Sequence, residues 1–333
     1  MNMGFWEKIK KPVMVLAPMA NVTDEAFRRI IAKYGKPDVV WTEFVSADGL
    51  CHPKGREKLL VDLAYTEIER PIVAQLFTGH PEKMFEAAKL IQKLGFDGLD
   101  INMGCPDRAV EKQCAGASLM KNPRLAREII RAAKEGAPKL PISVKTRIGY
   151  NKNELETLLP ELLAEEPAVI TIHCRTRKEM SDVPARWENV AEAVRIRDRL
   201  GSKTLIFGNG DVTDLDDARK KAKETGADGV MLGRAIFGNP FLFSGSGKRS
   251  DLGEPSVKKC LSVMLEHTKL FHELFNGIKN FAVMRKHYKA YVQGFPATAG
   301  RDGAKELRVK LMETESVEEV ERIVREFLKT IEK

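Results

Sequence analysis

The feature that most constrains this chain is a recurrence: eight short apolar runs, several of them rich in β-branched residues, interleaved with stretches of helical periodicity. The runs are Val13–Ala17, Val39–Phe44, Ile72–Phe77, Gly98–Asn102, Ile142–Thr146, Val169–His173, Thr204–Gly208 and Gly229–Gly233. Continuous runs of this length suit strands covered on both faces in a parallel sheet. Helices are expected at Asp24–Tyr34, Pro81–Leu94, Asn122–Glu135, Leu155–Ala164, Trp187–Leu200 and Asp214–Thr225. Thr23 or Asp24, Thr213 or Asp214, and His80-Pro81 mark helix starts. Gly35, Gly95, Gly136, Gly201 and Gly226 follow helices, where a left-handed residue is wanted. Eight such units predict an α/β fold, a (β/α)8 TIM barrel. A doubly wound open sheet would need a glycine-rich fingerprint after the first strand, and that position reads Ala17-Pro18-Met19-Ala20.

The pattern changes after Phe243. Residues 244–255 read as a Gly/Ser/charged linker, and Ser256–Phe275, Asn280–Gln293, Ala304–Met312 and Ser316–Glu332 are helix-patterned without strands. Ser316 with Glu319 predicts a capping box for the last helix. The expected organisation is a barrel over 1–243, a linker over 244–255 and an all-helical domain over 256–333. Charge follows the same division: Lys248–Lys310 carries 13 Lys/Arg against 6 Asp/Glu, a surplus of +7 out of a total of +8. Such a patch suits a polyanion, because each phosphate contacted releases condensed counterions; a solvated surface is the alternative.

Composition excludes other classes. With 43% hydrophobic and 31% charged residues the chain has material for both a core and a soluble surface. No stretch approaches the roughly 18 apolar residues of a spanning helix, and Met1–Lys11 lacks the apolar region of a secretory signal. Five irregularly spaced cysteines, an odd number, read as reduced thiols rather than a disulfide framework. A cytoplasmic monomer without membrane contact is the expectation.

In barrels of this kind the working face lies at the C-terminal ends of the strands. The residues expected there are Pro18-Met19-Ala20, Gln75, Asn102 to Pro106, Lys145-Thr146-Arg147, His173-Cys174-Arg175, Asn209-Gly210-Asp211 and Gly233-Arg234. Gly208-Asn209-Gly210 and Gly233-Arg234 follow strands seven and eight, where barrels often bind phosphate through backbone N–H groups; two tight turns are the alternative. Lys145 in a barrel mouth calls for an anionic or electron-rich partner. His173 is a site residue or a satisfied core histidine. Cys105, between Gly104 and Pro106, is expected to be displayed; a thiol of ordinary pKa near 8.5 is mostly protonated and can act as a general acid or as a nucleophile. Cys105, Cys114, Cys174 and His173 lack the spacing of a zinc site, and no metal is expected.

These residues also carry a resemblance. Asn102-Met103-Gly104-Cys105-Pro106, Lys145-Thr146-Arg147-Ile148-Gly149, His173-Cys174-Arg175-Thr176-Arg177, Gly208-Asn209-Gly210-Asp211 and Gly233-Arg234-Ala235 through Gly238-Asn239-Pro240 resemble, in order, the motifs of the tRNA-dihydrouridine synthases. The likeness runs from about Pro12 to Phe243 and continues more weakly at Arg285-Lys286-His287. It implies an FMN-dependent oxidoreductase, with NADPH as reductant, that reduces the uracil C5–C6 bond in tRNA. It further implies Cys105 as proton donor to C5, opposite hydride delivery to C6. Pro18, Met19, Ala20, Gln75, Lys145, His173, Asn209, Gly210, Asp211, Gly233 and Arg234 are implied as FMN-binding positions, with Lys145 stabilising charge on the reduced ring. Asn102 and Arg175 are implied near the uracil, and Arg285, Lys286 and His287 on the RNA. The target base would have to be flipped out of the tRNA fold.

The chain departs from the family's pattern at five positions. Glu179, Ser181 and Val183 stand where Gln, Tyr and Gly are common, and Arg186 replaces the Asp before Trp187. Cys114 stands where glycine or another small residue is usual. Two other functions compete with the resemblance. A second FMN barrel reductase acting on a small molecule would have no need of the basic helical tail. A non-catalytic tRNA-binding protein on a dead barrel would have no need of Cys105 and the full cofactor set.

Overall fold

The structure, a computed structural model, describes residues 1–244, 257–293, 295 and 301–331. The expected linker lies outside the described residues apart from Ser244. The chain divides into two compact units: Met1–Ala20 with Pro37–Gly233, and Asn21–Lys36 with Arg234–Lys333. No helix among the described residues is long and apolar enough to cross a membrane.

The first unit is an eight-stranded parallel barrel. Its strands are β1 (Val13–Leu16), β2 (Val40–Ser46), β3 (Ile72–Phe77), β4 (Gly98–Asn102), β5 (Ile142–Arg147), β6 (Val169–His173), β7 (Leu205–Asn209) and β8 (Gly229–Leu232). Each pairs with the next in chain order, β1 pairs with β8, and the ring closes at the Val15–Val39 bridge. All eight strands were legible in the sequence, with ends that differ by at most two residues. What the apolar runs hid is an alternation within them. One parity (Ile72, Ala74, Leu76, Leu99, Ile101, Val144, Ile170, Ile172, Ile206) packs under the outer helices. The other packs Val13, Val15, Trp41, Val73, Val169, Leu205 and Phe207 against Trp6 at the strands' N-terminal half. Further along that same parity the side chains turn polar: Gln75, Asp100, Asn102, Ser143, Lys145, Thr171, His173 and Asn209. The barrel is therefore plugged at one end and polar at the other.

In the second unit the helix Glu25–Tyr34 is joined to Val257–Phe275 through Glu266, which accepts from Lys33 Nζ and Tyr34 OH, both at 2.6 Å. Further helices are Met284–Gln293, Arg301–Met312 and Val317–Ile331. Of the alternative helix starts, Asp24 and Asp214 take the N-cap role, accepting from the Phe27 and Asp217 amides. Ser316 Oγ accepts from Glu319 N, but the Glu319 carboxylate reaches Glu315 N instead of closing the box on Ser316.

Two glycines depart from the expected left-handed role. Gly95, Gly201 and Gly226 do have positive φ, whereas Gly35 is extended and Gly136 closes its helix in ordinary geometry. Close approach explains both. A Cβ on Gly136 would lie 2.3 Å from Phe85 O, and one on Gly35 3.0 Å from Pro240 O.

Candidate active site

Cys105 is held by the side chain of Asn102, at the end of β4. Asn102 Oδ1 accepts from the N–H groups of Gly104 (3.1 Å) and Cys105 (2.9 Å), a local turn typical of Asn. The Cys105 carbonyl accepts from Ala117 N at 2.9 Å. Cys105 backs onto Phe77, Val110 and Ala115, with Phe44 beside them. This burial pushes the thiol pKa up, and the opposing pull of Lys145 and Arg147 is smaller. Cys105 is accordingly a thiol rather than a thiolate at neutral pH.

Lys145, on the strand next to Cys105's own, is partly buried with one hydrogen-bond partner, Asn209 Oδ1 at 3.3 Å. Desolvation, with Arg147 adding repulsion, lowers its pKa to about 8. Asn209 is fixed in turn by donating to Met231 O at 2.8 Å. A partly buried, desolvated ammonium with one long contact to a neutral amide is an incomplete arrangement, and an electron-rich or anionic ring beside it would complete it. The donor set thus fits a flavin, with Lys145 and Asn209 as the residues to hold its polar edge.

His173 and Arg175 are brought together after β6. The Arg175 guanidinium donates to His173 Nε2 at 3.2 Å, so that nitrogen is an acceptor and the imidazole proton sits on Nδ1. Arg175, 2% exposed, also donates to Val183 O at 2.5 Å and pairs with Asp211. Those contacts tie the loop after β6 to the loop after β7. Gln75 lies mid-strand, fully buried, rather than at a strand end. Pro18 and Met19 are partly exposed and Ala20 exposed after β1.

The two glycine turns differ. A Cβ on Gly208 would fall 2.2 Å from Trp187 Cζ3, and Gly210 O accepts from Trp187 Nε1 at 2.8 Å. The first of these glycines therefore makes room for an indole. Gly233 meets nothing nearer than Ala17 Cβ at 3.8 Å and leaves its backbone open. Arg234, exposed, opens the second segment of the second unit.

Three residues to which sequence reasoning assigns no individual role, Arg147 among them although it was expected at a strand end, join the site's parts. Arg147 donates to Gly104 O (2.8 Å), Thr176 O (3.0 Å) and Met180 O (3.0 Å), so one buried guanidinium stitches the Cys105 loop to the loop after β6. Arg177 pairs with Glu111, just beyond Cys105. Burial lowers the Arg147 pKa to about 10, which leaves it charged at neutral pH. Asp100 lies deeper in β4, and burial raises its pKa to about 6 despite hydrogen bonds from Ser143 and Gln75. The signal available in the sequence was the acid two positions before Asn102 in an otherwise apolar strand.

In the second unit Arg285 and Lys286 reach the surface, partly and fully, whereas His287 is 2% exposed, packed between Phe27 and His267. From that position His287 offers no atom to a ligand. No three of His, Cys, Asp or Glu gather as metal ligands among the described residues, and Cys174 is buried beside its own strand.

Known proteins place this geometry. The family profile described as dihydrouridine synthase matches residues 15–332. A protein of Bacillus subtilis named probable tRNA-dihydrouridine synthase 2 is 39% identical over 329 residues, covering 98% of this chain and 97% of the relative. A Staphylococcus aureus protein named probable tRNA-dihydrouridine synthase is 38% identical over 329 residues, covering 98% and 96%. Among solved structures, histamine dehydrogenase from Rhizobium sp. 4-9 superposes with a TM-score of 0.51 at 14% identity, covering 77% of this chain and 48% of that one. The old yellow enzyme homologue from Zymomonas mobilis gives 0.50 at 15% identity, covering 73% and 89%. The two structures share the fold; the profile and the relatives, matched end to end, show that the chain belongs to the dihydrouridine synthase family.

Proposed function

We propose that this enzyme reduces the C5–C6 double bond of specific uridines in tRNA to 5,6-dihydrouridine, with FMN as resident cofactor and NADPH as its reductant. The observation that carries the reading is Cys105, kept protonated by burial and held by Asn102 on the strand next to Lys145. The names of the full-length relatives support tRNA as the substrate. Bound flavin supplies hydride to C6. That addition leaves charge at C5 and O4, and the Cys105 Sγ–H delivers the proton to C5. A neutral thiol can do so, and a thiolate cannot. Lys145 holds positive charge where the electron-rich ring edge is expected, and Asn209 orients the ammonium. Arg285 and Lys286 supply phosphate contacts from the helical part. We take the enzyme to work as a monomer in the cytoplasm, without a metal.

The test is Cys105→Ala. The variant is expected to retain FMN and tRNA binding while dihydrouridine formation falls by about 10²-fold or more, the scale of a lost general acid. Unchanged turnover, measured by mass spectrometry of the modified tRNA, removes Cys105 as the donor. A purified protein unable to take up FMN removes the flavin chemistry altogether.

A further inference from the structure

Asp100 is 1% exposed in the middle of β4, with Gln75 of β3 and Ser143 of β5 as its register partners on either side. Gln75 Nε2 donates to its Oδ2 at 2.6 Å, and Ser143 Oγ donates to its Oδ1. A carboxylate only accepts, so Gln75 must present its NH₂ to Asp100. Gln75 Oε1 is thereby turned to Asn102, whose Nδ2 donates to it at 3.0 Å. Asn102 Oδ1 is then left facing the loop, where it accepts from the Gly104 and Cys105 N–H groups. An isolated amide is nearly indifferent to a flip, but here the two amides are fixed from both ends, by Asp100, which cannot donate, and by the Gly104 and Cys105 N–H groups, which cannot accept. The chain of contacts begins at the one member that cannot donate and ends at the backbone of the cysteine.

We propose that Asp100 is a positioning residue for Cys105, acting through Gln75 and Asn102 without touching the reacting atoms. The inference rests on the reading of Cys105 as the functional thiol. Asn at position 100 could donate as well as accept, which removes the fixed polarity at the start of the chain and leaves only the backbone N–H groups at its far end to hold both amides. Buried polar networks are sensitive to such a change because a group left unpaired inside pays its full desolvation cost.

The experiment is a double-mutant cycle of Asp100→Asn and Asn102→Ala, two residues whose side chains share Gln75 as intermediary, in flavin-loaded enzyme. The readout is the rate of Cys105 alkylation by iodoacetamide at fixed pH, followed on the tryptic peptide ending at Arg108, which excludes Cys114. Asp100→Asn is expected to change that rate by about 5-fold or more with Asn102 present, and by less than about 1.5-fold in the Asn102→Ala background. In the same single variant kcat for uridine reduction should fall with the KM for tRNA within about 2-fold, since positioning acts on the transition state. The exchanged pair Asp100→Asn/Gln75→Glu, which returns one carboxylate and one amide to the contact, should restore the alkylation rate to within about 3-fold. It also serves if the single variant does not fold. Equal factors in both backgrounds, or an exchanged pair that leaves the rate altered, overturn the proposal. Alkylation is read without tRNA, so coupling without uridine reduction refutes the proposed function and spares this inference, and the converse result does the reverse.

Discussion

Glu179 and Arg186 meet as a two-hydrogen-bond pair in the loop after β6, with Nη1 2.7 Å from Oε1 and Nη2 2.9 Å from Oε2. These are two of the positions at which the chain departs from its family's common residues, and the structure makes them one change: the new acid and the new base neutralise each other. Thr176 N donates to the same carboxylate at 2.8 Å, and together these hold the Glu179 pKa down at about 2. A carboxylate depressed in this way stabilises the fold above its ordinary range near about 4.3, and the contribution disappears as pH falls toward 2. Arg186→Ala should cost about 1 kcal/mol, discounted for the exposure of both side chains, and Glu179→Gln added to it should cost little more. Urea midpoints of the two single variants and the double check this; strictly additive losses would show that the residues act apart.

Cys114 has φ +55, a left-handed backbone that costs a residue with a Cβ about 1–2 kcal/mol. Such a backbone favours glycine, one of the small residues that the resemblance leads one to expect here. Cys114→Gly should therefore gain between about 0 and 1 kcal/mol, the relief of strain exceeding the entropy glycine loses on folding. A thermal scan would show it as a rise of up to a few degrees. A clear fall in melting temperature would mean that the exposed thiol makes contacts that outweigh the strain.

How far the sequence could be read depended on what kind of signal each residue leaves. Strands buried on both faces announce themselves, and Cys105, Lys145 and His173 stand out as candidates because motifs end where strands end. Asp100 and Gln75 were harder: their inward parity shows only when a run such as Gly-Leu-Asp-Ile-Asn is read in alternate positions. Arg147 and Arg177 stand in motifs that give them no individual role, because their partners (Gly104 O, Thr176 O, Glu111) are distant along the chain. Gly208 shows how one motif can serve packing: its missing side chain accommodates Trp187. No local pattern distinguishes a turn that serves a ligand from one that serves packing.

Lys286 and Lys289 are exposed on the helix Met284–Gln293, within the basic segment proposed to meet RNA phosphates. Replacing both by Gln should weaken tRNA binding at low salt and flatten the dependence of log Kd on log salt concentration by about 1.4–1.8. Filter binding from low to moderate salt measures the slope. A parallel line would take this helix out of the interface.

His267 and His287 form the last prediction, about acid stability. Their rings stand 4.6 Å apart in a T-shaped contact, both buried, with neither nitrogen of His267 and not Nε2 of His287 paired. Burial holds both neutral: His287 falls to about 3, with Lys286 adding a small repulsion, and His267 lies well below its usual value, the neighbouring His287 contributing. Because the folded state refuses protons that the unfolded chain accepts below about 6.5, stability is intact above that pH and is lost as pH falls below it. Each histidine can cost up to about 1.4 kcal/mol per pH unit in that range. His287→Phe removes one of the two titrations while keeping an aromatic ring against Phe27. The loss of stability between pH 6.5 and 5.5, from urea unfolding, should therefore be smaller in the variant by about 1 kcal/mol. An identical loss in both proteins would mean that His287 takes up its proton without unfolding, which requires a partner for Nε2 that this packing does not provide.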